Sequence, residues 1–171
     1  MNLREKLTIR FDKEEKERLG KIIASDPKLF AELWSLIKTA DSPIPEYGSW
    51  VLDHCVAINP TLVQPHLDEM IAHFPLPNHN SIHRNLGKIL AQVEIPEQYQ
   101  GELYSLCIDR LLMPQMEVAV KVHCMEIAYN IARDIPELKE ELALVINDQM
   151  EFNSAGFKSR GKKILKRLGK R

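Results

Sequence analysis

Met116-Glu-Val-Ala-Val-Lys-Val-His-Cys-Met-Glu-Ile-Ala-Tyr-Asn-Ile-Ala-Arg-Asp-Ile-Pro-Glu-Leu138 decides the fold. Val120, Cys124, Ile127 and Ile131 recur at steps of three and four residues, the period of one helical face. Asp134-Ile135-Pro136 ends the run, because proline lacks an amide donor and fits best in the first turn of a new helix. Leu138, Leu142, Val145 and Ile146 then restore the same period. The stretch therefore predicts two amphipathic helices meeting at a turn.

Weaker copies lie upstream. Pro60, Pro96 and Pro136 stand 36 and 40 residues apart, close to the length of two-helix solenoid units. Ile82, Leu86, Ile89 and Val93 match the first-helix face, with Val51, Cys55 and Ile58 one unit earlier. Leu62, Leu67, Met70 and Ile71, then Leu103, Leu106 and Leu111, match the second. A single pair of this kind cannot cover both its apolar faces and must stack on neighbours. The chain is expected to be one helical-repeat domain over 1–171. Its parts are a degenerate cap pair at 1–41, repeat units at 42–75, 78–113 and 115–153, and a basic helix at 155–171. Within the cap pair, residues 1–11 read as an irregular lead-in. Asp12 reads as a helix cap with Glu15 as its reciprocal partner, and Pro27 opens the next helix.

Val120-Lys121 followed by Cys124, Ile127, Ala128, Ile131 and Ala132, then Pro136-Glu137-Leu138, resembles a HEAT or armadillo-type repeat. Ile82-His83-Arg84 with Leu86-Gly87 echoes the same site one unit earlier. The likeness is clearest over 116–150 and weakest before 42. It implies an all-α fold, a right-handed α-α superhelix of about four helix pairs plus the basic terminal helix. It also implies a partner-binding surface: such proteins mostly bind proteins, some bind nucleic acid, and one branch excises alkylated bases from DNA. Lys121 and His83 fall where the family usually carries an arginine that braces neighbouring repeats.

Composition excludes other classes. Hydrophobic residues make up 44% of the chain and charged residues 27%, ordinary for a folded soluble protein and unlike a disordered one. Met1 to Lys6 carries no apolar run of a secretory signal, and no segment is apolar for the length of a membrane span. Cys55, Cys107 and Cys124 each sit on an apolar helical stripe, as buried thiols in a reducing compartment do. A cytoplasmic protein without cofactor or metal is the expectation.

The formal net charge of −1 conceals an uneven distribution. Lys158, Arg160, Lys162, Lys163, Lys166, Arg167, Lys170 and Arg171 follow Gly156 with no acidic residue among them, so the preceding body is acidic. These eight are the candidate anion or nucleic-acid contacts, and equally the polar cap of a repeat array, with cations suited to a helix C-terminus. Phe157, Ile164, Leu165 and Leu168 give the same helix an apolar edge that could dock another chain. Arg84, Lys88, Lys121, Glu126 and Asn130 are the candidate repeat-surface contacts.

Apparent chemical motifs weigh little. His79 and His83 have the four-residue spacing of two metal ligands, but no further ligand lies at matching spacing. His54-Cys55 and His123-Cys124 point about 100° apart on a helix and lack a nucleophile's setting. Trp50 and Asp53 share a helix face and match, in residue type only, the groove of the base-excising branch. The sequence reads as a non-enzymatic module presenting its repeat surface to a protein partner, with nucleic-acid binding through the basic end as the alternative.

Overall fold

The computed structural model describes residues 1–76 and 78–169; Lys170 and Arg171, two of the candidate anion contacts, lie outside them. The described residues are helical throughout, with no strand among them. They divide into two compact units, Met1–Ile89 and Leu90–Arg171.

The first unit contains α1 (Leu3–Lys6), α2 (Lys13–Ala24), α3 (Pro27–Thr39), α4 (Ile44–Ile58), a 3-10 segment (Pro60–His66), α5 (Leu67–His73) and most of α6 (Asn80–Leu90). Helices α2 and α3 both pack on α4, and their shared core includes Leu19, Ile23, Phe30, Leu33, Trp34, Val51, Leu52 and Cys55. Asp12 caps α2 by accepting the Glu15 N–H at 2.9 Å. The Glu15 carboxylate does not close the reciprocal half; it receives Arg18 at 2.6 and 2.7 Å.

Three sequence expectations change here. The lead-in contains α1, and Leu3 and Leu7 are fully buried, so it closes the end of the unit. Helix α4 starts at Ile44, before the expected Glu46, because Pro45 lies in the first turn where no intrahelical amide is needed. The second helix of that pair runs as a 3-10 segment from Pro60 to His66 before becoming α-helical. Pro65 lacks the N–H that would bond back to Thr61 in an α-helix, and regular α-helix resumes only at Leu67.

The second unit contains α7 (Glu97–Leu112), α8 (Val118–Ala132), α9 (Pro136–Gln149) and α10 (Ala155–Leu168). Helix α8 is its axis, with α7, α9 and α10 all packed against it. It buries Val120, Cys124, Met125, Ile127, Ala128 and Ala132, and a helix apolar around most of its circumference needs such neighbours. Helix α10 contributes Phe157 and Ile164, both fully buried. Its apolar edge is thus taken up within the chain.

Candidate interaction surface

The long-range hydrogen bonds link residues about one repeat apart. In the first unit, Cys55 donates to Gly20 O, Asn85 to the Ser49 hydroxyl at 3.0 Å, and Lys88 to Asp53 at 2.8 Å, over separations of 35 and 36 residues. Trp34 and Lys38 both donate to Glu69 Oε2 at 2.8 Å. In the second unit, Tyr104 donates to Leu138 O at 2.9 Å and Asn130 to Ala91 O at 2.9 Å. Arg160 donates to Glu126 at 2.8 Å, and Arg167 bonds the other oxygen of the same carboxylate. The period visible in the turn prolines is therefore also the period of the polar braces.

Four of the five candidate repeat-surface residues act as such braces. Lys88 and Asn130 make the contacts above, and Glu126 receives both arginines. Lys121 is only 1% exposed; its ammonium donates to Asn153 Oδ1 at 3.0 Å and lies 5.8 Å from the Phe157 ring centroid. Asn153 in turn donates to Gln149 O at 2.8 Å. Burial lowers the Lys121 pKa from its ordinary value. Arg84, the fifth, is half-buried on α6 and also has an interaction partner.

The basic helix separates into two sets. Arg160 and Arg167 converge on Glu126, and the Arg167 guanidinium lies 3.8 Å from the Tyr129 ring centroid. Burial works against the Arg167 charge, but Glu126 and Tyr129 outweigh it and raise the pKa. Lys158, Lys162, Lys163 and Lys166 are exposed and, among the described residues, pair with no carboxylate. Lys158, Lys162 and Lys166 are each four residues apart, a single stripe along α10, with Lys163 beside it.

Helix α9 carries the opposite charge. Glu137, Glu141, Leu144 and Asp148 follow at steps of four, three and four residues, which places them on one face, and Glu151 stands just past the helix end. All five are exposed. None of the four carboxylates pairs with a cation among the described residues. Leu144 is 71% exposed and Phe152, just beyond the helix, 75%, the highest values among the large hydrophobic side chains. Of these residues, sequence reasoning singled out only Glu151, as a polar residue beside the second-helix apolar stripe.

Residues that resembled chemical motifs have packing partners. Asp53 is held by Lys88, and Trp50 stacks on Phe11 with ring centroids 5.6 Å apart. His79 Nδ1 accepts the Ser81 N–H at 3.2 Å in the first turn of α6, while the His83 ring meets Phe74 edge-on. All three cysteines are free and buried. Burial pushes the Cys55 thiol up to about 12. Cys107 and Cys124, distant in sequence, share a hydrogen bond, and burial holds Cys107 well above the usual thiol value.

Among the described residues no group of three or more His, Cys, Asp or Glu is arranged to hold a metal ion, and no helix is long and apolar enough to cross a membrane. No curated protein and no solved structure matches the chain. The HEAT repeat domain model matches residues 3–168, nearly the whole length and the same residues that build the stacked, cross-braced helices. The chain belongs to the HEAT repeat family.

Proposed function

We propose that this chain is a non-enzymatic interaction module that offers a braced helical surface to a protein partner. The observation supporting the reading is the division of polar groups. First-helix side chains are occupied in holding repeats together, whereas the α9 face keeps Glu137, Glu141 and Asp148 without a cationic partner around Leu144, with Glu151 and Phe152 just past its end. An exposed aromatic such as Phe152 is the kind of side chain enriched at protein interfaces. Three free, buried thiols suit a reducing, cytoplasmic setting.

The test is quantitative affinity capture of the tagged chain from its own cells, with Leu144→Asp/Phe152→Asp and a four-lysine glutamine variant in parallel. A stoichiometric protein that survives the lysine change and is lost with the α9 change supports the reading. Capture of nothing above background, or loss only with the lysines, contradicts it.

A second reading, nucleic-acid contact through α10, is favoured by one observation: Lys158, Lys162, Lys163 and Lys166 form an exposed stripe without carboxylate partners. Four phosphate contacts would give affinity that falls steeply with salt. Fluorescence anisotropy of labelled DNA and RNA, with and without the lysine substitutions, tests it. Ending the chain at Gly156 is not an equivalent test, since it would also remove Phe157 and Ile164 from the core.

A further inference from the structure

We infer that the trough between α7 and α9 is a docking groove for a short basic segment of a partner protein, which inserts an apolar side chain between flanking lysine or arginine residues. The inference rests on the interaction-module reading and assigns it a site and a partner chemistry.

The groove has a cavity of about 590 Å³ whose floor includes Ile108, Ile131 and Leu138. Glu97, Asp109 and Glu141 stand around it, and no lysine, arginine or histidine lines it. Among the described residues none of these three carboxylates has a cationic partner. A second cavity of about 570 Å³, lined also by Glu94 and by Arg133 in its pair with Asp134, shares Gln100, Ile131 and Ile135 with the first, so the trough continues past the end of α8. An apolar floor under acids that lack cationic partners complements an apolar side chain set between cations, and opposite charge steers such a segment in.

Gly101 supplies the independent argument. It sits inside the sixteen-residue helix α7, where glycine is less favourable than alanine by roughly 0.5–1 kcal/mol. Three other helical glycines have a packing reason: an added Cβ would meet His54 at 2.3 Å from Gly20, Ile37 at 2.9 Å from Gly48 and Met150 at 2.7 Å from Gly161. At Gly101 it would meet nothing within 4 Å. No neighbour requires this glycine, yet it lines the groove and leaves that wall bare. The walls are also fixed relative to each other, because the Tyr104 hydroxyl on α7 donates to Leu138 O on α9 at 2.9 Å. A preformed groove reduces the ordering cost of binding.

The occupant we assign is a foreign segment rather than the basic helix of a second copy, because Phe157 and Ile164 of α10 are buried in its own core and are not free to insert.

The experiment selects a displayed random-peptide library on the full-length chain, then measures synthetic versions of the enriched peptides by fluorescence anisotropy. Wild type is compared with Gly101→Leu, which fills the groove, and with Glu97→Gln/Asp109→Asn, which removes charge from its rim. Enriched peptides should combine at least two cations with a large apolar residue and lose about tenfold or more in affinity on Gly101→Leu. Their salt dependence should flatten in the neutralised variant, while the Gly101→Leu melting temperature stays equal or rises. No enrichment, acidic or neutral peptides, binding indifferent to Gly101→Leu, or a lower melting temperature for that variant overturns the groove. A wild-type mass that rises with concentration, but not in Gly101→Leu, assigns a second copy and overturns the foreign segment. Peptides indifferent to Gly101→Leu but lost with Leu144→Asp/Phe152→Asp would remove the groove and leave the module; failure of capture from cells would remove the module itself.

Discussion

Arg160 on α10 and Glu126 on α8, 34 residues apart, are joined at 2.8 Å, and Arg167 occupies the second oxygen of the same carboxylate. Glu126 is the more enclosed partner, with 17% of its side chain exposed. Replacing it by glutamine leaves two arginines facing a neutral amide. We expect Glu126→Gln to cost about 1–3 kcal/mol, the range for hydrogen bonds involving charged groups, measured by urea unfolding. Arg160→Gln alone should cost less, because one oxygen would keep its arginine.

The lysines of α10 should behave differently. Changing Lys158, Lys162, Lys163 and Lys166 together to glutamine removes no ion pair and should alter stability by about 1 kcal/mol or less, as exposed substitutions do. Thermal melts of the four-lysine variant beside Glu126→Gln check the contrast. A large loss from the lysine change would mean that the stripe helps to hold α10 in place.

Lys121 makes stability depend on pH. Its folded pKa is lowered by burial from the ordinary 10.5. Between that lowered value and 10.5 the unfolded chain holds the extra proton, so this group adds native stability as pH rises through the window and opposes folding most below it. Lys121→Met keeps much of the aliphatic stem and removes the titration. Stability of wild type relative to Lys121→Met should therefore increase toward pH 10.5, by denaturant unfolding at fixed ionic strength.

Two helical glycines should respond with opposite sign. Gly101→Ala meets open space and should stabilise by about 0.5–1 kcal/mol. Gly20→Ala places a methyl 2.3 Å from the His54 ring and should destabilise by about 1–3 kcal/mol. Parallel melting curves decide both.

How much was legible in the sequence follows from the range of each interaction. Local signals read correctly: Asp12 caps α2, Pro27 and Pro136 open their helices, and α8 shows the expected apolar period. The 3-10 segment was not legible because its apolar spacing still suits an α-helix. Lys121 stands three residues before Cys124 on the packing stripe, so its burial could have been anticipated from phase. Glu126 could not have been assigned two arginine partners 34 and 41 residues away, nor Cys107 paired with Cys124, because those pairings depend on how the helices stack. The remaining α9 acids could not be told apart in the sequence from ordinary solvated charges, because whether a carboxylate has a cationic partner depends on how the helices stack.

The most direct measurement is hydrogen–deuterium exchange of the chain alone and with the protein it co-purifies with. Added protection over residues 97–109 and 137–152, with 158–168 unchanged, is the result predicted for an interaction module that engages its partner through α7 and α9. Protection confined to 158–168, or none anywhere, would contradict it.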